Sequence, residues 1–267
     1  MKDLVSVIIP TYNRAYCIKN AIDSVLQQEY EQMEIIIVDD ASTDNTREVI
    51  QNIKDRRIKY ICNDKNCGAA ASRNIGVKMA SGKYIAFQDS DDIWLKEKLQ
   101  KQLEIIEASD YGMVYCSFER IFPDGRIEKV PRQGIQKEAR QGEIYPYLLA
   151  ESYISTQTML LKREVFQQIE GFDETMKSYE DYDLAIRISK GYKIGYVDEV
   201  LVQLNTLSDS VDMNMINGII SSAYLIRKYE TDLKKYGLYQ RKCDVLLQVA
   251  ETYGFLEPIK KFIGQSL

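Results

Sequence analysis

Histidine is missing altogether from the 267 residues, so a His general base, a His-bearing triad and imidazole metal ligands are excluded before any motif is read. Catalysis, if there is any, falls to carboxylates, Lys, Tyr or Cys. The five cysteines, Cys17, Cys62, Cys67, Cys116 and Cys243, are odd in number, scattered and without a C-x-x-C pair. That pattern indicates neither a disulfide framework nor a zinc site, and it fits a reducing cytosol. Glycine (14) and proline (5) are too scarce for a collagenous or disordered chain. No apolar run approaches the roughly twenty residues of a membrane-spanning helix, and Met1 to Thr11 has no long secretory h-region. The expectation is a cytoplasmic protein, peripheral at most on the inner membrane face. Lys and Arg number 35 against 40 Asp and Glu, and a balance of −5 gives no support to a nucleic-acid binder.

What is present alternates in period. Leu4 to Ile9 is an apolar run stopped by Pro10, and Ile18, Ala21, Ile22, Val25 and Leu26 follow at helical spacing. Glu34 to Val38 repeats the strand, Asp39 to Asp44 supplies turn and N-cap chemistry, and Val49, Ile50 and Ile53 mark a second helix. Ile58 to Cys62, the helical stretch Ala69 to Ala80 and the strand Tyr84 to Phe87 complete the series. Buried strands alternating with amphipathic helices predict an α/β fold with a mainly parallel central sheet flanked by helices. Further on we expect a helix over about Leu95 to Glu107, a strand over Met113 to Phe122 and a hairpin turn at Pro123-Asp124-Gly125-Arg126. Beyond these come a strand at Thr158 to Leu161, a helix at Arg163 to Ile169 and a strand at Lys193 to Val197. From Asp212 the pattern is helical, with Ile216, Ile219, Ile220, Ala223 and Ile226 on one face. The expected division is a domain over 1–210 and a helical appendage over 211–267. That stripe should pack on the domain, on a second copy, or on a membrane surface holding a lipid-linked acceptor.

In parallel α/β sheets, ligands bind beyond the carboxyl ends of the strands, so the residues there matter most. Strand one ends in Pro10-Thr11-Tyr12-Asn13-Arg14, strand two in Asp39-Asp40, and strand four in Gln88-Asp89-Ser90-Asp91-Asp92. Asp89, Asp91 and Asp92 also read locally as a turn with a helix cap, but one aspartate suffices for a cap, and the extra two tilt the reading toward a shared hard cation such as Mg²⁺ or Mn²⁺. Asp39-Asp40 also reads locally as loop chemistry, and Arg73 as a solvated charge. Gly68 to Gly76 is neither a dinucleotide fingerprint nor a P-loop. Tyr179-Glu180-Asp181-Tyr182-Asp183 is an acidic first turn of a helix, and a carboxylate there is well placed to serve as a general base.

Five blocks in this order, Ser6 to Arg14, Ile35 to Asp44, Gly68 to Gly76 with Arg73-Asn74, Tyr84 to Trp94, and Glu180 to Leu184, resemble glycosyltransferase family 2. The resemblance spans roughly residues 4–200. It implies a GT-A, Rossmann-like nucleotide-sugar fold and an inverting, metal-dependent transferase, with a UDP-sugar as the expected donor. It assigns Pro10, Thr11, Tyr12 and Arg14 to the nucleotide, Asp40 to uracil, Arg73 to a basic position near the nucleotide, Asp91 and Asp92 to ribose and metal, and Asp181 to the catalytic base. Asp89, Trp94 and Glu180 are the candidates for contact with donor or acceptor sugar. Asn205 and Leu207 stand where many members carry Arg and His, and only Ser210 is kept from that segment. The Q-x-x-R-W motif of processive synthases is absent, which favours addition of a single sugar in cell-surface polysaccharide or glycolipid assembly. Alternatives are a non-catalytic nucleotide-sugar-binding scaffold and a sugar nucleotidyltransferase, the latter disfavoured because no glycine precedes Gly68. A saccharide or lipid-linked saccharide acceptor, and a homodimer, complete the expected partners.

Overall fold

In a computed structural model describing residues 3–132, 134–206 and 215–264, three of the first four strands are buried along their whole length. Strand β1 (Val5–Thr11) pairs in parallel with β2 (Met33–Asp39) on one side and β4 (Tyr84–Phe87) on the other, and β3 (Ile58–Cys62) lies parallel beyond β2. Successive side chains point to opposite faces, so Ile8, Ile36, Val38 and Phe87 enter one core while Val7, Ile9, Ile35 and Ile37 enter the other. Helices α1 (Ile18–Leu26), α2 (Thr46–Gln51) and α3 (Ala69–Lys78) connect these strands. Helix α3 crosses β1 so closely that a Cβ on Gly76 would stand 2.4 Å from the Ile8 Cγ2 atom.

The second half of the sheet is mixed. After β5 (Ile93–Trp94) and α4 (Lys98–Glu107), β6 (Met113–Ile121) and β7 (Ile127–Val130) form the hairpin expected at Pro123 to Arg126. Short helices α5 (Lys137–Arg140) and α6 (Tyr145–Ala150) and a 3₁₀ turn at Thr156–Thr158 lead to β8 (Leu160–Lys162), followed by α7 (Arg163–Gln168) and α8 (Glu180–Gly191). Strand β8 inserts antiparallel between β4 and β6, and β9 (Ile194–Asn205) runs parallel to β6 and antiparallel to β5. The order is β3-β2-β1-β4-β8-β6-β9-β5, with β7 on β6. Strand β9 extends well past the expected Val197, and extra residues bulge out of it between Val197 and Val202, opposite Cys116 to Phe118 of β6, before it reaches β5.

Four helices end the described chain: α9 (Met215–Lys228), α10 (Glu230–Lys235), α11 (Tyr239–Thr252) and α12 (Leu256–Gly264). Three members of the sequence stripe, Ile219, Ala223 and Ile226, are buried in the same apolar cluster as Ile8, Phe87 and Leu184. Ile216 and Ile220 stay exposed. The tail therefore continues a core begun by the sheet. Among the described residues no helix is long and apolar enough to cross a membrane. Leu207, Ser210 and Asp212 lie outside the described residues.

Candidate active site

The loops after β1 and β2 are laced together. Asn13, in the left-handed region at φ 52, accepts from the Thr43 amide (2.8 Å), and the Arg14 amide donates to the Thr46 hydroxyl (2.8 Å). Pro10 and Thr11 are buried, while Tyr12 projects outward, 43% exposed. Asp39 is an internal brace: it accepts from the Ser42 amide and, at 2.6 Å, from the Tyr60 hydroxyl, which raises the Tyr60 pKa on top of the effect of burial. Asp40 is buried too. Its carboxylate accepts from the Asn63 side-chain amide (2.8 Å) and from the backbone amides of Cys67 (2.9 Å) and Gly68 (2.7 Å). Gly68 reaches that position at φ 91, a conformation costly for other residues. The expectation that Asp40 receives uracil thus meets a carboxylate already used to fix the turn that opens α3.

The acidic loop after β4 divides its three carboxylates. Asp92 is 2% exposed, one oxygen accepting from the Asn205 amide (2.8 Å) and the other from the Gln157 side chain (2.7 Å). It clamps the end of β9 to the 3₁₀ turn, a commitment that runs against its expected role as metal ligand. Asp91 is turned outward with its side chain 16% exposed; an Arg14 nitrogen lies 4.0 Å from its carboxylate, and its carbonyl accepts from the Asn205 side chain. Asn205, singled out in the sequence as a departure, thus ties down this loop. Asp89 pairs with Arg73 at 2.7 Å.

Arg73 joins three elements. From α3 its guanidinium reaches Asp89 with one terminal nitrogen and Glu180, the first residue of α8, with the other (2.8 Å). It is almost fully buried; burial opposes its charge, but Asp89 and Glu180 prevail and hold its pKa above the ordinary value. Its Nε atom is buried with no hydrogen-bond partner. Asp89 and Glu180, expected at the sugar, are each bonded through one oxygen to this arginine. Asp181 is part-exposed at the head of the same helix, where one carboxylate oxygen accepts from the Thr156 amide at 3.3 Å and the other from the Tyr182 amide at 2.7 Å. The neighbouring Asp183 has no exposed side-chain surface and binds Arg187, Lys228 and the Tyr229 hydroxyl, each at 2.7 Å. It is removed from the list of possible bases.

Trp94, expected near a sugar, lies inside the fold. Its ring is 2% exposed in the apolar core, its indole N–H donates to the Gln157 carbonyl (3.0 Å) and the Lys98 ammonium lies 3.9 Å from its ring centroid. No ring face is left for a sugar, because β5 pairs with β9 and turns Trp94 inward. Gln157, which holds both Asp92 and Trp94, carried no signal in the sequence at all.

A model of the family described as Glycosyl transferase family 2 matches residues 6–170. The chain belongs to glycosyltransferase family 2. It is 32% identical over 249 residues to the UDP-Glc:alpha-D-GlcNAc-diphosphoundecaprenol beta-1,3-glucosyltransferase WfgD of Escherichia coli, covering 93% of this chain and 87% of that one. It is 33% identical over 219 residues to the amylovoran biosynthesis glycosyltransferase AmsB of Erwinia amylovora, covering 78% and 72%. An uncharacterised Rickettsia conorii glycosyltransferase is 36% identical over 96% of this chain, yet the chain spans only 46% of its length. Among solved structures, Staphylococcus aureus TarS 1–349 with UDP-GlcNAc aligns at TM-score 0.67 and 20% identity over 92% of this chain and 71% of TarS. The mannosyltransferase PcManGT of Pyrobaculum calidifontis with GDP-Man and Mn²⁺ aligns at 0.68 and 19%, over 98% and 79%. The fold of this family 2 chain is accordingly GT-A. No group of three His, Cys, Asp or Glu side chains gathers in it as a self-sufficient metal cage among the described residues. The outward carboxylates of Asp91 and Asp89 offer hard oxygen donors, a set that suits Mg²⁺ or Mn²⁺ only if substrate phosphate and water complete the shell.

Proposed function

We propose that this chain is an inverting, non-processive glycosyltransferase that moves one sugar from a UDP-sugar to an acceptor hydroxyl in the assembly of a cell-surface polysaccharide or glycolipid. The observation that supports the reading is Arg73, which ties Asp89 in the loop after β4 to Glu180, the residue before Asp181, and so links the proposed base to the strand-end loops. Asp181 takes the proton from the acceptor hydroxyl as that oxygen forms a bond to the anomeric carbon. The bond from that carbon to the diphosphate breaks, and UDP leaves on the opposite face. Pro10, Thr11, Tyr12 and Arg14 line the nucleotide, and Asp40 shapes the base pocket through the turn it fixes. Asp91, with Asp89 beside it, is the side of the cleft that would hold Mn²⁺ or Mg²⁺, and Asp92 supports it from below. A cation bound there neutralises charge developing on the diphosphate. Arg14 lies on the same side.

Proteins similar to this chain differ in donor: WfgD is named for UDP-Glc, whereas PcManGT, of the same fold, was solved with GDP-Man. WfgD's acceptor is a sugar on a polyprenol diphosphate, and we take an acceptor of that class, met at the inner membrane face, as the reading for this chain. The test is a panel of UDP- and GDP-sugars with and without Mn²⁺ or Mg²⁺, scored for hydrolysis and for transfer to lipid-diphosphate-linked sugars. Turnover of a UDP-sugar that depends on the metal is expected. A GDP-sugar as the sole donor would replace the base assignment, and nucleotide-sugar binding without turnover on any acceptor would favour the scaffold.

A further inference from the structure

Behind the head of α8 lies an open-mouthed pocket of about 390 Å³ between α6, α8, α9 and α11. Its size is that of a small-molecule site. Ile186, Ile219, Ile226, Leu246 and Val249 give it apolar walls. One cation faces them, Lys242 from α11. The Lys242 ammonium donates to the Tyr182 hydroxyl at 3.3 Å, lies 5.5 Å from the centroid of the same ring, and forms no ion pair among the described residues. Burial pushes its pKa down, and Glu151 on the pocket rim only partly opposes this. An ammonium partly withdrawn from water beside an apolar hollow, with two donor positions unspent, suits the anionic end of a ligand whose remainder is hydrocarbon.

The pocket and the proposed base share the same turns of chain. Tyr179 and Tyr182, which flank Glu180-Asp181, both line the pocket. Glu151 and Ser152 on its rim lead within a few residues to Thr156, whose amide reaches the Asp181 carboxylate. We propose that this pocket binds the lipid end of the acceptor, a prenyl phosphate ester whose first isoprene units lie along α9 and α11 and whose phosphate pairs with Lys242. This rests on the acceptor class proposed above. A volume of about 390 Å³ at roughly 30 Å³ per water-sized group gives room for about a dozen such groups, so the pocket takes the phosphate-proximal segment and leaves a longer chain to run out through the mouth.

The test uses the full chain and calorimetry with farnesyl phosphate, farnesol and inorganic phosphate, each with and without UDP. Farnesyl phosphate is expected to bind one to one, farnesol more weakly, and inorganic phosphate not measurably. Lys242→Gln should weaken farnesyl phosphate by roughly tenfold or more and leave farnesol unchanged, since only a charge-assisted contact is lost. Ser222→Phe and, from the opposite wall, Val249→Phe fill the hollow and should abolish both while UDP affinity stays at the wild-type level. Failure of wild-type protein to bind farnesyl phosphate overturns the proposal, and so does unchanged binding in either folded Phe variant. Farnesyl phosphate binding in a protein that binds no nucleotide would sink the donor reading and leave the pocket standing. UDP-sugar turnover without farnesyl phosphate binding would do the reverse.

Discussion

Helix α8 presents two aspartates to two different worlds. At its head Asp181 is part-exposed, with the Thr156 and Tyr182 backbone amides on its carboxylate. Half a turn later Asp183 is sealed against α9 with two cations and a phenol on it. Extending the seam, Lys228 also binds Asp173, which accepts from Thr175 and Tyr224. The same residue type, two positions apart, does opposite jobs because a carboxylate whose oxygens are taken up by fixed cations and a phenol is kept from substrate. One that keeps a solvent-facing edge can exchange a proton. Asp92 and Asp91 repeat the contrast one loop away.

The sharpest way to break the comparison is to remove the proton acceptor and keep its shape. Asp181→Asn is expected to lower transfer by roughly 10²-fold or more with little change in UDP affinity, measured by steady-state kinetics and calorimetry. Asp183→Asn should act on the other axis, leaving Arg187 without its carboxylate and Lys228 with Asp173 alone. We expect a loss of about 3–5 kcal/mol in denaturant unfolding with turnover per folded molecule preserved. Near-normal stability in Asp183→Asn would mean that the seam is not what fixes the tail.

The acidic loop gives the next contrast. Asp91→Asn should abolish the Mn²⁺ enhancement of UDP affinity in a protein of wild-type melting temperature. Asp92→Asn should cost about 1–3 kcal/mol of stability, because the Asn205 amide loses a charged partner. If Asp92→Asn instead removes the metal response with stability intact, the division of roles between the two is reversed. The smallest effect concerns Asp173, where burial works against the charge but Thr175 and Lys228 outweigh it and hold the pKa down at about 2. A carboxyl depressed in the folded state contributes stability that is complete above its unfolded value near 4 and lost as pH falls toward 2. Between pH 4 and 2 the wild type should therefore lose about 1–2 kcal/mol more than Asp173→Asn, whose unfolding should be flatter in that window.

Much of this was legible in the chain itself, and the limit falls at a physical boundary. The alternation from Val5 to Phe87 could be read because β1, β2 and β4 are buried on both faces and the helices between them carry an apolar face. Strand β8 could be placed as a strand but not as an antiparallel insert, since three residues carry no mark of direction. The acidic positions were found as residues, not as roles. Nothing near Asp92 announces that donors from Gln157 and Asn205, 65 and 113 residues away, will consume its oxygens. The burial of Trp94 was hidden for the same reason, since the pairing of β5 with β9 and the Gln157 carbonyl that takes its indole N–H lie far along the chain. Asn205 was noticed only as a missing arginine, and its grip on the acidic loop appears once β9 extends to meet it.

The central claim, that Asp181 activates an acceptor hydroxyl on the face opposite the departing diphosphate, is tested most directly by the anomeric configuration of the product. With a UDP-sugar that the protein turns over and its acceptor, proton NMR of the first-formed product should show the anomer opposite to that of the donor, and Asp181→Asn should not form it at a comparable rate. A product that keeps the donor's configuration would contradict the account.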